Sequence, residues 1–159
     1  MYNKLVSYDK KDGVAIITLN NPKNLNSMDA PLINEFKEIT TDIQTDDSIG
    51  AVVLTGAGRA FCAGGDINIM SEGFTAVSGY KHMNAFHKWT FDFARLNKPI
   101  VGAINGLAVG GGFSLALLCD VLMASTEAKF SLAFLNVALV PDLGITHALL
   151  YRLSYGGVM

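Results

Sequence analysis

From Pro99 to Cys119 the chain carries no charged side chain, and the run is bounded by Lys98 and Asp120. A run of that length could cross a bilayer. It also holds Gly102, Gly106 and Gly110 at the four-residue spacing by which membrane helices pair. Its glycines argue against a span. Gly110, Gly111 and Gly112 are consecutive, Asn105-Gly106 is a strong turn signal, and Pro99 opens the segment. Each glycine weakens a helix by about 1 kcal/mol relative to alanine. The run therefore reads as a buried strand from Pro99 to Ile104, a tight glycine-rich loop, and a buried helix starting near Gly111. No membrane association is expected.

A chain of 159 residues is long enough for one domain, read here as 1–159, with a real core. Hydrophobic residues make up 50% and charged ones only 16%, so disorder is excluded and extra burial, as in a subunit interface, is implied. A net charge of -2 without a Lys/Arg cluster excludes a nucleic-acid binder. Cys62 and Cys119 form neither a disulfide framework nor a metal-ligand spacing. No metal is expected. The N-terminal stretch from Met1 to Asp9 lacks the apolar core of a signal peptide, so a cytoplasmic location is expected.

The remaining pattern alternates strands with helices, which predicts an α/β layered fold with partly parallel strands. Lys4–Asp9 and Val14–Leu19 read as a hairpin around Asp12-Gly13. Asn20–Ser27 is a loop. A helix follows with Asp29 as N-cap, Pro31 in its first turn, and an apolar stripe of Leu32, Ile33, Phe36, Ile39 and Ile43. Ala51–Leu54 reads as a strand buried on both faces. A second amphipathic helix over Tyr80–Leu96 has Tyr80, Met83, Phe86, Thr90, Phe91 and Ala94 at helical spacing. Short strands are expected at 120–124 and 128–131, and a last helix at 145–153.

Two glycine-rich segments each follow a buried strand and precede a helix: Thr55–Ile67 and Asn105–Ser114. Neither is a phosphate loop of the usual kind, because the third glycine of the dinucleotide fingerprint and the Lys-Ser/Thr of the P-loop are missing. Bare glycines offer main-chain N–H groups at close range, and a helix N-terminus adds its dipole. Two such loops facing each other would make an oxyanion hole; either alone could equally serve only tight turns and close packing.

The pair carries a resemblance. Ala60-Phe61-Cys62-Ala63-Gly64-Gly65-Asp66-Ile67, then Lys98-Pro99-Ile100-Val101-Gly102-Ala103-Ile104-Asn105-Gly106 and Gly110-Gly111-Gly112, strongly resembles the crotonase superfamily, the enoyl-CoA hydratase/isomerase group. Asn21-Pro22-Lys23-Asn24-Leu25-Asn26-Ser27-Met28 resembles that family's first coenzyme A-binding loop. The resemblance implies a crotonase-like α/β spiral of ββα units. It also implies an acyl-CoA thioester substrate, with coenzyme A as part of it and no separate cofactor. The amides matching Gly65 and Gly111 would hold the thioester oxygen as an enolate forms, each donor lowering the barrier by about 3 kcal/mol. Lys23, Asn24 and Leu25 would contact pantetheine and phosphates, and Ala63, Asp66 and Ile67 would lie against adenine. A homo-trimer or hexamer is implied where the family's C-terminal helices are present. Relatives continue well past the point matching Arg152, so those trimerisation helices are expected to be missing here.

The departures select among family members. At the positions of the two hydratase glutamates stand Ser114 and Phe134, neither able to activate water. Isomerases of the family place one acid/base carboxylate in a turn that matches Val140-Pro141-Asp142-Leu143-Gly144. Asp142 is thus the expected base of an enoyl-CoA isomerase, its pKa raised by apolar neighbours among Phe134, Leu135, Val137, Leu139 and Val140. It could instead cap the helix beginning near Ile145. Ser114 as nucleophile lacks a placed base; such a hydroxyl ordinarily bonds its own helix backbone. His82 and His87 lie on the second helix, where one could reach the site but a partly exposed helical residue is the first reading; His147 reads as structural, and Trp89 as core or acyl-pocket lining. A hydratase, another acyl-CoA lyase or hydrolase, and a catalytically silent acyl-CoA-binding module are the competing readings.

Overall fold

The computed structural model describes residues 4–71, 73–153 and 155–158. Met1–Asn3, where the expected leaderless N-terminus begins, and Met159 at the chain end lie outside them. The hairpin is present as β1 (Val6–Lys11) and β2 (Val14–Leu19), antiparallel, turning at Asp12 and Gly13 with φ of +52° and +77°. Both turn residues are left-handed, as the twist of a two-residue hairpin requires. α1 (Ala30–Thr45) starts where the Asp29 carboxylate accepts the Leu32 N–H at 2.9 Å. It buries Leu32, Ile33, Phe36 and Ile43, with Ile39 half-buried. Its C-terminus is closed from outside, since Lys98 Nζ donates to the carbonyls of Ile43 and Asp46, each at 2.6 Å.

After α1 the chain repeats one plan three times. A strand joins the large sheet, a shorter strand joins a small sheet, and helix follows. The first turn is β3 (Ala51–Gly56), β4 (Ala60–Cys62), then α2 (Ile67–Ser71) and α3 (Ala76–Ala94). The second is β5 (Ile100–Ile104), β6 (Leu107–Val109) and α4 (Gly111–Leu117); the third is β7 (Val121–Ala124), β8 (Lys129–Ser131) and α5 (Ile145–Arg152). A four-residue helix, α6 (Tyr155–Val158), ends the described chain. The large sheet runs β1-β2-β3-β5-β7, parallel beyond the first pair, and the small sheet β4-β6-β8 is parallel throughout. This is the α/β spiral of ββα units that the resemblance implied.

Several expectations need correction. Both glycine-rich loops contain a three-residue strand, and these strands pair with each other, Ala60 with Leu107 and Cys62 with Ala108. β3 is buried on one face and half-buried on the other, because its alternate residues Ala51, Val53 and Thr55 face a less crowded side. α3 begins earlier than expected, and its core face is different: Phe86, Trp89, Thr90 and Phe93 are buried, while Tyr80 is 72% and Phe91 60% exposed. Phe36 of α1 selects that face, meeting Trp89 and Phe93 edge-on at 5.0 and 5.1 Å. Each such pair stabilises by about 1 kcal/mol beyond area burial.

The charge-free run is strand, strand and helix, and among the described residues no helix is long and apolar enough to cross a membrane. α4 lies hard against β4. A Cβ on Gly112 would sit 2.1 Å from the Cys62 carbonyl oxygen. The carbonyl of Leu117, the last residue of α4, and that of Cys119 just after it accept from the Arg152 guanidinium, which closes that end of the helix.

Candidate active site

A cavity of about 170 Å³ opens where the glycine segments meet, between α3, α4 and the chain leading into α5. The first segment reaches it through a single parallel bridge, Met28 with Gly65. In that bridge the Met28 amide donates to the Gly64 carbonyl at 2.7 Å, and the Asp66 amide donates to the Met28 carbonyl at 3.3 Å. Successive amides of an extended chain point to opposite sides, so the Gly65 N–H faces away from the bridge. Gly65 lines the cavity. Gly64 has φ of +93°, and a Cβ there would stand 2.8 Å from the Val109 carbonyl oxygen and 3.2 Å from the Gly111 nitrogen. Only glycine lets the two segments approach this closely.

The second segment contributes Gly110 and Gly111. Gly111 is the first residue of α4, where an amide has no partner within the helix. It too lines the cavity. The walls are apolar, formed by Met28, Ile67, Met83, Phe86, Phe134, Val137, Leu139 and Leu143 among others. Such a cavity suits an acyl chain with its carbonyl at the amide end. Main-chain donors aimed into a dry site can hold an oxygen on which negative charge develops.

Asp142 is the one carboxylate among the described residues lining this cavity. Its Oδ1 is buried and has no hydrogen-bond partner there. Burial pushes the carboxyl above the ordinary carboxylate range, with the charge of His87 and its own backbone amide pulling the other way. Asp142 does not cap α5 through its side chain; the N-cap is Gly144, without a side-chain bond, and it is the Asp142 carbonyl that accepts the Ile145 N–H at 3.1 Å. Its apolar surroundings are narrower than the sequence predicts. Phe134, Val137 and Leu139 line the cavity, whereas Leu135 and Val140 are 86% and 82% exposed.

Ala63 and Ile67 line the cavity; Lys23, Asn24, Leu25 and Asp66 lie outside it. Lys23 and Asn24 are exposed on a one-turn 3-10 helix, Pro22–Asn24, which Leu25 ends in the left-handed conformation. The Ala63 N–H donates to the Leu25 carbonyl at 3.0 Å, so this loop and the first glycine segment are neighbours. Asp66 accepts the Asn68 N–H at 2.9 Å ahead of α2, and Ile67 is 63% exposed.

Two further residues line the cavity, His82, which the sequence left as the lesser of two readings, and Asn136, which it did not bring forward. His82 lines the cavity, its ring 5.1 Å from Phe74 and 4.9 Å from Phe86; its place one turn before Phe86 was the available signal. Asn136 also lines the cavity, from a 3-10 turn that no periodicity announces. Trp89 belongs to the core with Phe36, not to the cavity. His147 is exposed and packs on Tyr151. Cys62 is inert in its place, since burial pushes its thiol up to about 12.

A family model described as enoyl-CoA hydratase/isomerase matches residues 9–155. Over 145 residues the chain is 35% identical to a short-chain-enoyl-CoA hydratase of Clostridium acetobutylicum, covering 91% of this chain and 55% of that one. Over 149 residues it is 37% identical to a 1,2-epoxyphenylacetyl-CoA isomerase of Escherichia coli, covering 92% and 56%. The crystal structure of an enoyl-CoA hydratase from Bacillus anthracis superposes with a TM-score of 0.90 at 31% identity, over 97% of this chain and 60% of that one. The chain thus spans about half the length of the curated relatives it matches. Fold, glycine segments and relatives agree, and the chain belongs to the enoyl-CoA hydratase/isomerase family.

Proposed function

We propose that the chain carries the thioester-binding and proton-transfer centre of an enoyl-CoA isomerase, which moves a double bond from the 3- to the 2-position of an acyl-CoA. Asp142 carries the reading: a carboxylate whose Oδ1 is buried and unpartnered in the cavity that Gly65 and Gly111 line. The Asp142 carboxylate takes a proton from carbon 2, and the electron pair moves onto the thioester oxygen, giving a dienolate. The Gly65 and Gly111 amides donate to that oxygen. The same carboxyl, whose proton exchanges with solvent, then protonates carbon 4, leaving a 2,3 double bond with one proton taken and one given. Coenzyme A enters as part of the substrate, with Lys23, Asn24, Leu25, Ala63, Asp66 and Ile67 assigned to its pantetheine, phosphates and adenine. The hydrogen bond from Ala63 to Leu25 supports a shared rim.

Hydration needs a group to activate water beside the acid/base that protonates carbon 2. The positions where hydratase glutamates are expected hold Ser114 and Phe134, which favours isomerisation over the hydratase reading. The test is ultraviolet detection of the conjugated thioester. A 3-enoyl-CoA should gain conjugated absorbance, whereas a 2-enoyl-CoA should keep it; loss of absorbance from the 2-enoyl compound without isomerisation of the other overturns the reading. The required form of Asp142 is the ionised one, and its pKa is raised. The rate should therefore rise with pH through a limb lying above the ordinary aspartate value of about 3.9. For the whole protein we propose a homo-trimer or hexamer, read by light scattering.

A further inference from the structure

We propose that Ser114 is a positioning residue for the Asp142 carboxylate, its hydroxyl tying the turn that bears the base to the helix that presents the Gly111 amide. The inference rests on the reading of Asp142 as base. A serine inside a helix ordinarily donates to the carbonyl one turn back. Ser114 is 1% exposed, and its Oγ lies 3.4 Å from that carbonyl, on Gly110, but 3.2 Å from the carbonyl of Asp142. The nearer acceptor is on another segment, and it belongs to the residue carrying the cavity's carboxylate.

The turn so held is an unusual one. The Ile145 N–H closes it onto the Asp142 carbonyl at 3.1 Å, and both central residues are left-handed, Leu143 at φ +51° and Gly144 at +76°. A leucine in that region is held there against its own preference. Burial provides the hold: Leu143 is 6% exposed, and its Cδ1 would stand 3.4 Å from a Cβ built on Gly111. Two anchors thus fix the turn, the Leu143 side chain against Gly111 and the Asp142 carbonyl against Ser114. Both are on α4, a helix of seven residues. The base and one of the amides proposed to receive charge from it therefore move as one unit.

The test compares Ser114→Ala and Ser114→Thr with the parent chain. One readout is the titration of the Asp142 carboxyl by carbon NMR; the other is deuterium uptake at carbons 2 and 4 of a 3-enoyl-CoA in heavy water. The Asp142 carbonyl keeps its bond from Ile145 in both variants, so the turn remains closed. Ser114→Ala should slow exchange by about 10- to 100-fold, the scale of a small misplacement of a reacting group, with KM within about twofold. It should also move the carboxyl titration down toward the ordinary range. Ser114→Thr, which keeps the donor, should restore both. A Ser114→Ala chain whose titration and exchange both match the parent overturns the proposal, as does a Ser114→Thr chain that behaves like the alanine variant. Exchange that survives Asp142→Asn would instead overturn the assignment of the base, and the titration comparison would still decide the role of Ser114.

Discussion

Asp142→Asn is expected to lower isomerisation by about 100- to 10,000-fold, the usual contribution of a positioned acid/base group, while acyl-CoA affinity stays within a few-fold. Affinity should survive because the groups assigned to the thioester oxygen are main-chain amides of Gly65 and Gly111, and the apolar walls are untouched. Turnover and calorimetric titration with an acyl-CoA, with free coenzyme A as control, separate the two effects. The same substitution carries a stability signature. Burial raises the folded-state pKa of Asp142 above its unfolded value. The protonated carboxyl thus favours the fold below the unfolded value near 3.9, and that contribution is lost as pH rises through the folded value. Asparagine cannot ionise, so the variant should melt at or above the parent at neutral pH. An inactive variant that is also strongly destabilised at neutral pH would contradict a buried, unpartnered carboxylate. Retained turnover would remove Asp142 from the mechanism.

Gly112→Ala is expected to be among the most damaging small substitutions at the described residues, costing about 3 kcal/mol or more. The added Cβ would meet the Cys62 carbonyl oxygen at 2.1 Å, the carbonyl carbon at 2.7 Å and Cβ at 2.8 Å. These are atoms of a buried strand, so α4 must move away from β4. Gly111 precedes the clash by one residue and Gly64 and Gly65 follow Cys62 closely, so that movement separates the two amides. Acyl-CoA binding should therefore fall together with the melting temperature. Gly79→Ala is the internal comparison. Gly79 lies within α3, and among the described residues its Cβ would meet only the Phe74 side chain, Cβ at 3.4 Å and Cγ at 3.9 Å, both ordinary contacts. That variant should gain up to about 1 kcal/mol from helix propensity. Thermal or denaturant unfolding of the pair checks both, and equal effects would refute the close approach of α4 to β4.

Local chemistry made much of this readable from sequence. Asp12-Gly13 fixes a hairpin by its left-handed preference, Asp29 and Pro31 start α1, and Asn105-Gly106 breaks the charge-free run where the structure breaks it. The glycine segments were legible as neighbours through the resemblance, and Asp142 entered through the same resemblance, as the carboxylate in the turn that matches the isomerases of the family. What escaped depends on partners distant in the chain. Tyr80 and Phe91 have helical spacing with apolar residues, yet Phe36 draws Trp89 and Phe93 inward and leaves those two outside. β4 and β6 have only three residues each, too short for any periodicity, and exist because they pair with one another. Leu135 and Val140 are as apolar as Leu139 and Val137, and nothing in their own chemistry announces the 3-10 turn, flanked by left-handed Ala133 and Ala138, from which only the latter pair lines the cavity.

The amides that Gly65 and Gly111 bring to the cavity are parts of the peptide chain itself, so exchanging one side chain for another leaves them in place unless the newcomer is proline, which has no N–H. On the proposed reading, the electron sink is inherited with the fold, while proton traffic is entrusted to replaceable side chains at 114, 134 and 142. Such a scaffold can lose one reaction and acquire another while never ceasing to recognise a thioester. Each intermediate in that history would still bind its substrate, which gives selection something to act on before the new chemistry is efficient.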